Sequence, residues 1–255
     1  GGAVCVVGLS SASWTGETTF EANTATAGGA LVLDAGATVS CRGQTAFTFN
    51  SVALDKGVGG AVFLGNNSDI HCSSEIVFIG NVAYSAGALY LASASTAEFY
   101  DNLIFDGNIA KGGSAGALGV EFSTVFWGGD HTIFSGNSAN ENGGAISSLE
   151  LDIELDQELS TLVISGPTNF VNNTSGADGG AISAIGHSSV AFETTDVIFE
   201  SNFARRNGGA IFTSFAGIDL HIVGGKFLRN SAQYGGGVYS TGYGKLNSNN
   251  HGGTE

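Results

Sequence analysis

The stretch "FESNFARRNGGAIF", residues 199–212, joins Phe199, an asparagine three residues on at Asn202, and a Gly-Gly-Ala-Ile corner at residues 208–211. Both halves recur along the chain, which makes the stretch one copy of a repeat. Phe-x-x-Asn stands at Phe20, Phe47, Phe78, Phe105, Phe134, Phe170, Phe199 and Phe227, in steps of 27, 31, 27, 29, 36, 29 and 28 residues. The asparagines are Asn23, Asn50, Asn81, Asn108, Asn137, Asn173, Asn202 and Asn230. Each Phe is followed 8 to 12 residues later by a small-residue corner, starting at Gly28, Gly59, Ala86, Ala115, Gly143, Gly179, Gly208 and Gly235, and a further "GGAV" opens the chain at Gly1. Two linked motifs in step through eight cycles are a fixed structural period.

Between these landmarks the text is short and alternating or apolar ("ALVLDA", "AVFLGN", "STVFW", "DVIFES"), with no helical period. About 28 residues suffice for three strands and three turns, and strands of successive cycles stacked in parallel lie about 4.8 Å apart. The sequence therefore predicts an all-β chain, a single-stranded parallel β-helix of about eight to nine rungs, roughly 40 Å long by that spacing. Each Phe stacks on its counterparts. The Asn takes a left-handed turn and hydrogen-bonds along the axis. The glycines allow positive φ at a tight corner, the alanine fits a crowded place, and the next Ile, Leu or Val points inward.

The linked "FxxN" and "GGA[ILV]" motifs resemble the repeats of the chlamydial polymorphic membrane proteins. The likeness runs from Gly1 to about Ser240. It implies a right-handed β-helix and an extracellular or surface-displayed stalk, filament or adhesin that meets protein or glycan partners. That family's C-terminal outer-membrane barrel has no counterpart in these residues, so the resemblance does not extend to autotransport. Residues 1–241 read as the repeat domain, a fragment of a longer chain that begins mid-motif, and 242–255 as a polar tail or linker.

Composition narrows the partners. With 41 glycines and one proline among 255 residues and no Gly-X-Y period, glycine serves turns and not a collagen helix. A 42% hydrophobic content supports a core. The formal charge of −15 disfavours nucleic acid and anionic lipid. No apolar run approaches the roughly 20 residues of a membrane helix. Open strand edges at both ends of a β-helix invite further rungs or a second subunit.

Several residues stand out from the period. The 36-residue cycle contains "LELDIELDQELS", residues 149–160, where Glu150, Asp152 and Glu154 alternate with apolar residues. Such a face suits calcium or a cationic partner, or it is the solvated side of an overhanging strand. Cys41 and Cys72 each lie six residues before their Phe, in one column with Trp14 and Phe99, so neighbouring rungs bring them within disulfide range. A bridge and a pair of packed thiols both fit, and Cys5 has no partner in phase. Asp101 and Asp130 each precede a Phe by four residues and stack, with His131 alongside. The pair reads first as a solvated corner ladder, and it is the one arrangement here compatible with the alternative of a polysaccharide lyase or glycoside hydrolase using paired carboxylates.

His71, His187, His221 and His251 show no common phase and no triad-like company. Trp127 and Tyr234, Tyr239 and Tyr243 are candidates for a sugar-stacking surface or for corner packing. Asn66, Asn172 and Asn173 head Asn-x-Ser/Thr acceptors for glycans. Arg205 and Arg206 form the only adjacent basic pair on an acidic chain.

Overall fold

A computed structural model of the chain describes residues 1–52, 56–149, 159–186, 188–214, 219–242 and 245–248. Those residues form strands and turns without helix. The strands line up in four parallel sheets of nine, nine, eight and seven members, and in each sheet the neighbours are successive coils. This is a β-solenoid.

One coil illustrates the rest. The corner at Gly28 leads into Leu31–Asp34 of the first sheet, a turn leads to Thr38–Cys41 of the second, and a further turn to Thr45–Thr48 of the third, which carries Phe47. A fourth strand of two residues, Ser51–Val52, follows Asn50. The coil therefore has four strands where length alone suggests three. Two residues carry too little alternation to read as a strand, yet pairing to the coils on either side holds them extended.

Register is kept throughout. Phe20, Phe47, Phe78, Phe105, Phe134, Phe170, Phe199 and Phe227 are consecutive Cα partners. Their rings stack at centroid distances of 4.6 to 5.0 Å with planes within 11°. The strand spacing imposes that separation, which falls within the favourable range for aromatic pairs. The ladder and the Leu, Ile and Val side chains of the first two sheets fill one continuous core.

Regularity also reaches beyond residue 241. Lys245–Ser248 pairs in parallel with Asp219–Ile222 as the ninth strand of the second sheet, so the stretch read as a polar tail contains a strand of the solenoid. A coil with open backbone groups offers a template that polar residues can extend, and composition does not reveal it.

Candidate functional site

The two corners of each coil show how the motif residues are used. At the first, the asparagines from Asn50 to Asn202 are buried, those of the end coils, Asn23 and Asn230, are half-buried, and the side chains run along the solenoid axis. The Nδ2 group of Asn108 donates to Oδ1 of Asn137 in the next coil at 3.0 Å and to the carbonyl of Phe78 in the preceding one at 2.9 Å, while its backbone N–H donates to the same Oδ1. Asn50, Asn81, Asn137, Asn173 and Asn202 repeat the pattern. Positive φ falls one residue before the asparagine, at Ala22, Phe49, Gly80, Gly107, Gly136, Asn172, Ser201 and Arg229. The asparagine is thus selected for its buried amide, and the expected left-handed turn belongs to its predecessor.

At the second corner the small residues divide the work. The first, from Gly28 to Gly235, has φ between 51° and 68°, and Ala86 and Ala115 adopt it too. The second is always glycine because its backbone is pressed against the next coil. A Cβ at Gly144 would lie 2.1 Å from the carbonyl oxygen of Gly180. The alanines that follow and the first apolar residues of the strand, such as Ala145 and Ile146, are fully buried.

The residues singled out in the sequence scatter over this frame. Asp101 accepts a hydrogen bond from the backbone N–H of Asn102, at 2.7 Å, and Asp130 and His131 are exposed on the neighbouring coil. Glu150, Asp152 and Glu154 lie outside the described residues, as do His187, Tyr243 and His251. Among the described residues no cluster of three metal-ligating side chains occurs. Cys41 and Cys72 are Cα partners in the second sheet, buried, and present as free thiols. Burial pushes the Cys72 thiol well above its ordinary pKa, and a hydrogen bond with Cys41 adds to the effect.

Three readings change. Trp127 has no exposed surface; it shares the inward column of Phe99 and donates its indole N–H to Thr168 at 3.1 Å, which excludes sugar stacking. Asn173 is a rung of the asparagine ladder with no exposed surface, so a glycan cannot sit on it in the folded chain, whereas Asn66 and Asn172 are exposed. His71 does have an acid in phase. Its Nδ1 lies 2.8 Å from Glu98, which also accepts from Tyr100 at 2.7 Å. His71 and Glu98 each stand seven residues before their Phe, and that common phase was the signal available. The Tyr100 hydroxyl, with His71 behind it, holds the Glu98 carboxyl below its usual range.

Arg206 is also committed. It pairs at 2.7 Å with Asp178, whose other oxygen accepts both N–H groups of Asn207, while Arg205 is exposed.

The outer face of the first sheet varies instead of repeating. Its outward file reads Val32, Phe63, Tyr90, Gly119, Ser147, Ser183, Phe212 and Tyr239. Where the file changes from aromatic to small there is a cavity of about 260 Å³, lined among others by Tyr84, Tyr90, Gly119, Glu121, Glu141 and Ser147. Tyr90 lies against Gly119, where a Cβ would be 2.7 Å from the ring, and donates its hydroxyl to Glu121. Burial, then that bond, raises the Tyr90 phenol above its ordinary pKa.

With the ladders, corners and outer file in view, the comparisons with known proteins are direct. The model of the Chlamydia polymorphic membrane protein repeat matches residues 131–149, 167–185 and 196–214, three successive spans that each carry an FxxN and its GGA corner. Three coils of the chain carry the polymorphic-membrane-protein repeat. Among curated proteins the chain is similar to the probable outer membrane protein PmpD of Chlamydia trachomatis, 30% identical over 69% of this chain and 11% of that protein. The probable outer membrane protein pmp6 of Chlamydia pneumoniae is 29% identical over 57% of this chain and 13% of its own length. The probable autotransporter YfaL of Escherichia coli K12 is 30% identical over 72% of this chain and 16% of its own length. The chain thus spans well under a fifth of each of these relatives, whose names are not those of enzymes. No solved structure matches it.

Proposed function

We propose that this chain is a rod-like segment of a cell-surface protein, which extends the molecule and presents a variable outer face to protein or glycan partners. The observation that carries the reading is the division of labour in the repeat. Phe, Asn and the GGA corner are consumed in contacts between coils, so the motif builds length, and recognition is left to outward positions that differ from coil to coil. The names of the relatives, outer membrane proteins and an autotransporter, support a place at the cell surface. Adhesion and end-to-end association follow as roles of such a rod, because a solenoid coil at either end exposes a row of backbone donors and acceptors.

The test uses intact cells that make the protein. Brief protease treatment should release peptides of this segment before lysis, and antibodies against the purified chain should stain unpermeabilised cells and block attachment to target surfaces. Peptides released only after lysis would contradict surface display. Display without any effect on attachment would leave a stalk and remove the adhesive role.

A further inference from the structure

The cavity beside Tyr90 has a chemical character that the rest of the outer face lacks. Two tyrosines and two glutamates line it, and none of its lining residues is basic. Among the described residues Glu121 takes only the Tyr90 hydroxyl and the side chain of Glu141 has no partner. Ser147 lines the same space, is 4% exposed, and keeps a hydroxyl without a hydrogen-bond partner. A buried polar group left unpaired is costly unless a ligand or water meets it. Tyr84 presents an exposed ring, laid against Gly112 of the next coil, where a Cβ would come within 2.1 Å of it. The glycine leaves the room that the ring occupies.

At about 260 Å³ the space lies just below the usual range for small-molecule pockets, so it admits one compact group and not a folded ligand. Uncompensated carboxylates between aromatic faces attract a cation by charge and by the ring quadrupole together. A neutral sugar would satisfy the hydroxyls and leave the charge unbalanced. An anionic group would be repelled.

We infer that this notch is a binding site for a basic side chain, a guanidinium or ammonium, of a protein partner. The guanidinium would lie over Tyr84 and Tyr90, with its N–H groups meeting Glu121, Glu141 and the Ser147 hydroxyl. This deepens the surface reading and rests on it for its biological setting, while the binding event is a property of the chain alone.

The experiment titrates the purified 255-residue chain with an arginine-containing peptide, and in parallel with the same peptide carrying citrulline, which keeps the shape and removes the charge. The Tyr84 and Tyr90 ring resonances are followed. The arginine peptide should shift both rings and saturate, with the citrulline peptide at least about tenfold weaker. Glu141→Gln should weaken binding by about three- to tenfold with an unchanged melting temperature. Glu121→Gln, which still accepts from Tyr90, should behave alike. Equal binding of the citrulline peptide, tighter binding of a neutral methyl glucoside, or no ring shift up to about 10 mM peptide would each overturn the assignment. None of these results bears on surface display, which protease treatment of intact cells reads separately.

Discussion

At the asparagine corner the coils from Asn50 to Asn202 place the same side chain in the same three hydrogen bonds. On the outer face of the first sheet the same coils place Val32, Phe63, Tyr90, Gly119, Ser147, Ser183, Phe212 and Tyr239. The backbone at both places is set by one 4.8 Å stacking rule. What differs is who the neighbour is. An inward side chain meets its own counterpart above and below, so a change in one coil must be answered in two others. An outward side chain has no fixed counterpart to match, whether half-exposed like Phe63 and Tyr90 or covered like Ser147 and Ser183, and is free to differ. Repetition here marks the scaffold, and departure from it marks the surface that can carry specificity.

The sharpest way to break that comparison is at the glycine corner. Gly144→Ala drives a methyl group into the carbonyl of Gly180, with backbone on both sides, and should destabilise the chain by more than about 4 kcal/mol in chemical denaturation. A Cβ at its neighbour Gly143 would also lie 2.1 Å from a carbonyl oxygen, that of Ile146 in the same corner, but Ala86 and Ala115 occupy the equivalent position with the same positive φ in other coils, so Gly143→Ala should cost less, about 1–3 kcal/mol. Equal effects at the two positions would refute the distinction between an approach to the next coil and an approach within a corner that other coils relieve.

The aromatic ladder comes next. Phe134→Ala removes a fully buried ring stacked on Phe105 and Phe170 and should cost about 3–5 kcal/mol by the same measurement. Asn108→Ala leaves the N–H groups of Asn81 without their acceptor and the Phe78 carbonyl without its side-chain donor, for about 2–4 kcal/mol. On the outer file Phe63→Ser should change stability by less than about 1 kcal/mol, because the ring lies on a half-exposed face, stacked on Tyr90 at 6.0 Å and over Gly65.

The smallest effect is electrostatic. Tyr100 and His71 lower the Glu98 carboxyl in the folded chain below the 4.5 of an unperturbed glutamate. A lowered folded value contributes stability above the unfolded value and loses it as pH falls through the folded one. The wild-type chain should therefore exceed Glu98→Gln slightly at neutral pH, and the gap should close from about pH 4.5 downward. A gap that widens on acidification would reverse the sign.

The solenoid was legible because its period is written twice, in Phe-x-x-Asn and in Gly-Gly-Ala, and because all strands obey one alternation. The inward column of Trp14, Cys41, Cys72 and Phe99 followed from the same phase arithmetic. Trp127 belongs to that column too, one coil beyond Phe99, but it stands seven residues before its Phe where the others stand six, so phase alone does not place it there. The two-residue fourth strand escaped notice since its pairing depends on neighbouring coils and not on its own residues. The notch was harder still. Tyr90 and Glu121 are 31 residues apart and reach across coils at an angle, so their contact depends on side-chain length and on the gap at Gly119.

The central claim is that the repeated asparagines are internal rungs shared between coils. Hydrogen exchange of the asparagine side-chain amides in the native chain tests it most directly. The account predicts that the Nδ2 protons of Asn50, Asn81, Asn108, Asn137, Asn173 and Asn202 exchange only with global unfolding, while those of exposed Asn172 exchange freely. Exchange of the six at the rate of Asn172 would contradict it.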